Sequence, residues 1–335
     1  MNNIFEYSPK ELTTDAFLKW IFCELNKDQY TDSVAQFFFQ LGLCENRNSS
    51  IRTIHVSLQE QKTDLILRYV ENGEEQKVLF ENKTRTTIHS EQLQRYKEIF
   101  PNCDYYKYLK LAYIFHSERK IASQNGYDVI DVHMIYAALK GLKSNHYLVC
   151  QYMEFLSIKF IEPMNRITKD LIRNNEYSLF KDGQAQQYFL SHLDRKLDGL
   201  LEDLFFESSS NTDGTPWTQL TLAKRPSAYN GKNETIFWRI DMRTKKYYLR
   251  LNQYSKVGDG QVSAKLENLS LLRPEVEKLC LQYDLKLGKM TNRAKIESEI
   301  VILFFEDNDI LHLQNILPEL SLSIYRLYSS VKNWK

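Results

Sequence analysis

An Asn-Gly dipeptide at residues 72 and 73 sits between two alternating segments, 64–70 and 77–83, and it constrains the fold of this chain more than any other feature. Asn-Gly supplies the two positive-φ positions of a tight turn, so the flanking segments are expected to close into an antiparallel hairpin. In that register Leu65 faces Phe80 and Leu67 faces Val78 on one surface, which reads as core. Ile66 faces Leu79 on the other surface, together with Asp64 opposite Glu81. A slip of one residue would exchange every side chain between the two faces. Arg68 opposite Lys77 and Glu71 opposite Glu74 weigh against the register, by roughly a few tenths of a kcal/mol each. A four-residue loop centred on the same dipeptide keeps the register, whereas a bulge shifts one acid by a residue.

The hairpin has a chemical consequence. Directly opposed residues hold their Cβ atoms about 4.5–5.5 Å apart, close enough for both carboxylates to reach one divalent cation. They are also too close for both to ionise comfortably without one. Lys83 follows Glu81 by two, and strand side chains alternate, so its ammonium joins the same face. Asp64, Glu81 and Lys83 are therefore expected to converge on one spot.

With 335 residues, 43% hydrophobic and 13% aromatic, the chain has material for a large interior and for two domains. Lys and Arg number 44 against 43 acids, so any nucleic-acid surface must be a local groove and not a global field. The cysteines, Cys23, Cys44, Cys103, Cys150 and Cys280, are odd in number and lack metal-ligand spacing, which points to a reducing cytoplasm. Neither a leader pattern nor a span of about 18 apolar residues is visible, so no membrane is expected.

Apolar residues recur at helical spacing from Leu12 to Leu25 after Ser8-Pro9, and a second helix is expected over 33–43. Strands follow at 51–56, 64–70 and 77–83, then a helix over 89–100 ended by Pro101, then strands at 111–116 and 128–132. The later strands, separated from the hairpin by a helix, suit parallel pairing. The fold class is α/β, a mixed sheet flanked by helices. Residues 145–206 read as a helical connector, broken near Asn174, Asn175 and Asp182-Gly183. The polar run 207–216 is the most loop-like stretch, and it places the domains at 1–144 and 207–335 with the connector at 145–206. The last unit reads as α+β, with strands at 236–242 and 247–253 around Arg243-Thr244-Lys245 and helices over 264–283 and 311–331.

Asp64 followed by Glu81-Asn82-Lys83 resembles the PD-(D/E)XK nuclease superfamily, with Thr63 where the eponymous proline would stand. Gln92-Leu93-Gln94-Arg95-Tyr96, on the helix after Glu81 and Lys83, resembles the QxxxY motif of its RecB-like branch. Gln92 and Tyr96 are four apart and so share a helix face. The segment Glu11 to Trp20 is similar to the first helix of the superfamily, where an acid commonly faces the active site. Glu11 is the favoured acid, and Asp15 lies one turn later on the same face, so spacing does not separate them. The resemblance covers about the first 135 residues. It implies a restriction-endonuclease-like core and hydrolysis of phosphodiesters.

Hard carboxylate oxygens suit Mg²⁺ or Mn²⁺. On this resemblance Asp64 and Glu81 are the principal ligands, with the Asn82 carbonyl as a third and Glu11 binding the metal or its water. Lys83 orients the attacking water and stabilises developing charge. Gln92 and Tyr96 position the phosphate or the lysine. Arg85 and Arg95 are candidate phosphate contacts, as are Arg243, Lys245 and Lys246 in an aromatic-rich hairpin of the last unit. His89 near the cluster reads as a helix-start residue and is left outside the core set. The implied partner is nucleic acid, DNA before RNA, in restriction or phage defence, and a homodimer would suit paired cuts. The rival reading is a protein that keeps the fold for nucleic-acid binding or regulation without turnover.

Overall fold

The structure is a computed structural model and describes residues 3–7, 10–88, 91–226, 233–243, 246–255, 261–290 and 296–330. Contacts divide the chain into two compact units, Met1–Ile114 with Glu118–Asn165, and Phe115–Ser117 with Arg166–Lys335.

The first unit begins with helices α1 (Lys10–Glu24) and α2 (Val34–Gln40). Strands β1 (Ile51–Leu58), β2 (Leu65–Glu71) and β3 (Glu74–Lys83) follow as an antiparallel meander. Helix α3 (Gln92–Ile99) leads to β4 (Tyr105–Lys110), and α4 (His116–Gln124) to β5 (Asp128–Asp131). Both later strands pair in parallel, which gives a five-stranded mixed sheet in the order β1-β2-β3-β4-β5. Helices α5 (Val132–Gly141) and α6 (Tyr147–Leu156) complete the unit.

The hairpin closes at Asn72 and Gly73, whose φ values of 51° and 95° are those a type I′ turn demands. Its register is the one the alternation dictates: Leu65 pairs with Phe80, Ile66 with Leu79, Leu67 with Val78 and Glu71 with Glu74. The Glu71–Glu74 repulsion is relieved locally, since Glu71 turns inward to accept from the Ser49 hydroxyl at 2.6 Å and the Glu45 amide at 3.2 Å. Leu65, Leu67, Val78 and Phe80 enter the main core with Phe22, Phe37 and Phe38 of α1 and α2. The opposite face is also covered. Ile66 and Leu79 pack with Leu93 and Tyr96 of α3 and with Tyr106 and Tyr108 of β4.

The strand expected at 111–116 lies elsewhere. β4 occupies Tyr105–Lys110, and α4 already begins at His116. Tyr-Tyr-Lys-Tyr-Leu-Lys masks a buried strand because its inward groups are polar-tipped. Tyr106 satisfies its hydroxyl on the Phe100 carbonyl at 2.6 Å, and Lys110 is 0% exposed.

The boundary between the units falls within α7 (Glu162–Arg173), and in the second unit α8 (Gly183–Leu197) precedes β6 (Phe205–Ser210), β7 (Pro216–Pro226), β8 (Asn233–Arg243) and β9 (Lys246–Tyr254). α9 (Val262–Gln282), β10 (Glu297–Phe304) and α10 (Ile310–Ser330) follow. The five strands form one antiparallel sheet in the order β10-β9-β8-β7-β6. The segment read as a boundary loop, 207–216, is half strand, the end of β6 and the start of β7, around a turn at 211–215, where the Asn211 amide donates to the Thr215 carbonyl at 2.8 Å. A serine-rich strand gives no apolar alternation, and Pro216 is tolerated as the first residue of its strand. The aliphatic face of the sheet is covered by α8 and α10, with Trp238 Nε1 donating to Ser321 Oγ at 2.9 Å and Gln187 Nε2 to Ser208 Oγ at 2.9 Å. Of the helical stretch 145–206, α6 belongs to the first unit and α8 to the second. Among the described residues no helix is long and apolar enough to cross a membrane.

Candidate active site

The hairpin register brings Asp64, just ahead of β2, level with Glu81 on β3. The Asn82 backbone N–H donates to Asp64 Oδ2 at 2.8 Å and extends the ladder by one bond to the acid. Asp64 is only part-buried, whereas Glu81 is 1% and Lys83 8% exposed. Lys83 Nζ meets Glu81 Oε1 at 2.7 Å. The same oxygen accepts from Gln92 Nε2 at 2.7 Å, so the first turn of α3 holds the second acid from above. Glu81 Oε2 is buried and has no donor among the described residues, and the Asp64 carboxylate lies within hydrogen-bonding reach of Glu81, so the two acids can share a proton.

Tyr96 sits one turn below Gln92 and touches it, with the Gln92 amide donating to the Tyr96 hydroxyl at 3.1 Å. That hydroxyl donates to the Lys62 carbonyl at 2.9 Å. The contact falls on a strained approach to Asp64, because Gln59, Gln61 and Lys62 all have positive φ, at 57°, 50° and 70°. Non-glycine residues in this region cost of order 1 kcal/mol each and persist only where surroundings hold them. Tyr96 is such a support, and Thr63 adds another through its hydroxyl on the Glu60 carbonyl at 2.6 Å. Sequence spacing placed Gln92 and Tyr96 on one helix face, and the structure shows what each of them holds.

Helix α1 contributes two acids with different partners. Asp15 is 3% exposed and accepts from Asn82 Nδ2 at 2.8 Å. Asn82 also donates from Nδ2 to the Glu11 carbonyl at 3.1 Å, so its side chain, on the opposite face of β3 from Glu81, ties the strand to α1. The Glu11 carboxylate accepts instead from Thr86 Oγ1 at 2.9 Å, in the loop that leaves β3. Neither Asp15's buried bond to Asn82 nor the Thr86 contact carries a signal in the linear sequence, since the partners lie 67 and 75 residues apart.

The electrostatics follow from crowding acids out of water. Burial, then the charge of Asp64, raises the Glu81 pKa to about 8 against the pull of Lys83. Burial also raises Asp64, with Asn82 and Lys83 opposing. Asp15 is pushed up to about 7, mainly by burial, with Asp64 and Glu11 adding. Burial pushes Lys83 down, but Glu81, Glu11 and Asp64 outweigh it and leave its pKa raised. Near neutral pH burial thus favours the protonated form of Glu81, and a cation would favour its ionised form.

The basic candidates are dispersed. Arg85 lies 5.7 Å from the centre of the Phe160 ring and Arg95 5.1 Å from that of Tyr96. In the second unit Lys246 is engaged by Glu306, Lys245 falls outside the described residues, and β8 ends at Arg243. His89 also lies outside the described residues. On the same hairpin Arg239 and Arg250 share Asp241 at 3.2 and 3.1 Å and Glu297 at 3.6 and 3.0 Å, so these two guanidinium charges are compensated internally.

Sequence reasoning missed a neighbouring group on β4 and α4. Tyr108 and Lys110 are fully buried and converge on Glu118, 3% exposed, with Lys110 Nζ 3.0 Å from Glu118 Oε1. The alternation of Tyr106, Tyr108 and Lys110 is the one sequence signal that could have revealed this face. Among the described residues no group of three or more His, Cys, Asp and Glu side chains is arranged to hold a metal. No protein-family model, curated protein or solved structure matches the chain.

Proposed function

We propose that this chain is a metal-dependent nuclease of the PD-(D/E)XK type, hydrolysing phosphodiester bonds in DNA. One observation carries the reading: Glu81 and Lys83 pair at 2.7 Å in the interior beside the part-buried Asp64, and a Glu81 oxygen has no donor among the described residues. The chemistry of the donors suits Mg²⁺ or Mn²⁺, since they are all oxygen and include a buried carboxylate atom without a donor. Asp64 and Glu81 would hold the ion, with the Asn82 carbonyl and Glu11 as further oxygens. A bound ion polarises the phosphoryl oxygen and acidifies water.

The remaining work belongs to the chain's own groups. Lys83 keeps its proton, by the direction of its pKa, and so presents positive charge to a developing oxyanion. Gln92 fixes the Glu81 carboxylate, and Tyr96 fixes both Gln92 and the backbone leading to Asp64. The first unit supplies these groups, and the second is assigned to substrate choice or assembly, as a homodimer making paired cuts. Restriction or phage defence is the setting that the motif resemblance suggests.

A second reading has one observation in its favour. The Lys83–Glu81 pair is closed at 2.7 Å and partly neutralises the site with no ion, as a protein that binds nucleic acid without turnover would allow. Incubation with linear and circular DNA and RNA, single-stranded and duplex, with Mg²⁺, Mn²⁺ or chelator, separates the two. Cleavage that requires the ion and disappears in Asp64→Ala and Lys83→Ala supports the nuclease. Undiminished cutting by either variant removes it, and nucleic-acid binding without cutting favours the second reading.

A further inference from the structure

A second buried ion pair lies beside the site, and the proposed chemistry does not use it. β4 runs parallel to β3 with Tyr108 level with Glu81 and Lys110 level with Lys83. Lys110 is 0% exposed, so its ammonium cannot touch a substrate. It donates to Glu118 Oε1 at 3.0 Å and to the Thr86 carbonyl, and the Tyr108 hydroxyl donates to the same Glu118 oxygen. Thr86 belongs to the loop 84–88, which has no regular secondary structure and follows β3 directly. The Thr86 hydroxyl in turn holds Glu11 Oε1 at 2.9 Å.

Burying a lysine and a glutamate carries a desolvation cost that their attraction does little more than offset. An apolar side chain of the same length would fill the space as well. What the ammonium adds is direction, because it fastens a loop carbonyl that no strand ladder holds.

We propose that Lys110, oriented by Glu118 and Tyr108, is a positioning residue that pins Thr86 and thereby holds the Glu11 carboxylate at the acidic cluster. The relay runs from α4 through β4 and the 84–88 loop to α1. Its consequence for ion binding rests on the metal reading above, whereas its effect on the loop does not. Breaking it frees the loop and releases Glu11.

The test uses the full-length protein as Lys110→Met, Thr86→Val, Glu11→Gln and the double variant Lys110→Met with Glu11→Gln. Amide hydrogen exchange over 84–88 is measured without metal, and Mn²⁺ binding by calorimetry without nucleic acid. Exchange in the loop is expected to quicken about tenfold in Lys110→Met. Mn²⁺ affinity is expected to fall about fivefold in Lys110→Met and in Thr86→Val, and no further in the double variant than in Glu11→Gln alone. Unchanged exchange in Lys110→Met, or losses that add in the double variant, overturn the relay. Should Lys110→Met fail to fold, Thr86→Val decides, and wild-type Mn²⁺ affinity in that variant overturns it. Wild-type protein that binds no Mn²⁺ sinks the metal reading instead, and the exchange result alone then upholds or overturns the relay.

Discussion

Asp15 offers the sharpest quantitative test of the crowded-acid site. It is 3% exposed, and its pKa rises from 3.8 to about 7, first through burial and then through Asp64 and Glu11. The folded state therefore binds a proton that the unfolded chain has released over that interval. Stability is complete below the unfolded value, falls as pH rises from 3.8 towards 7, and the loss levels off above it. At 1.36 kcal/mol per pK unit the full cost is about 4 kcal/mol by pH 8, and rearrangement of neighbours and water halves this to about 2 kcal/mol. Asp15→Asn keeps the shape and the oxygen that accepts from Asn82 at 2.8 Å, and it cannot ionise. Urea unfolding in chelator should show the variant more stable by about 2 kcal/mol at pH 8 and by under ~1 kcal/mol at pH 4.5. A difference of the same size at both pH values, or a variant less stable at pH 8, would refute the reasoning. On the metal reading, adding Mn²⁺ at pH 8 should narrow the gap, because a bound ion would stabilise the ionised cluster of the wild type.

Tyr96→Phe removes the hydroxyl that holds both Gln92 and the Lys62 carbonyl, at 3.1 and 2.9 Å. It should destabilise the first unit by about 1 kcal/mol and, on the nuclease reading, lower cleavage more through kcat than KM, measured by denaturation and steady-state kinetics. Gly73→Ala meets no atom within 4 Å but must adopt a φ of +95°, so a loss of about 1 kcal/mol in urea melts is expected from conformation alone. Gly288→Ala brings a Cβ to 2.6 Å from Phe304 and should lower the stability of the second unit by about 1–3 kcal/mol, seen as a shifted thermal transition.

Much of the first unit was legible because its information is local. The Asn72-Gly73 turn and the period-two alternation around it specify a register over 65–80, and that register alone aligns Asp64 with Glu81 and Lys83. Gln92 and Tyr96 were legible for the same reason, as helical spacing is a property of neighbours. Legibility ended where polar residues are buried. β4 hides its inward face behind tyrosine hydroxyls and a lysine, β6 is rich in serine, and each is a strand because its partners satisfy those groups.

The linear chain by itself determined the mixed α/β class, the hairpin, and the face on which two acids and a lysine stand. Only tertiary structure decided what surrounds them: Asp15 on Asn82, Glu11 on Thr86, and Lys110 on Glu118 behind the site. Turn and alternation preferences act between near neighbours and survive in any context. A buried polar contact between residues far apart in the chain exists only after the core has closed and removed water as the competing partner.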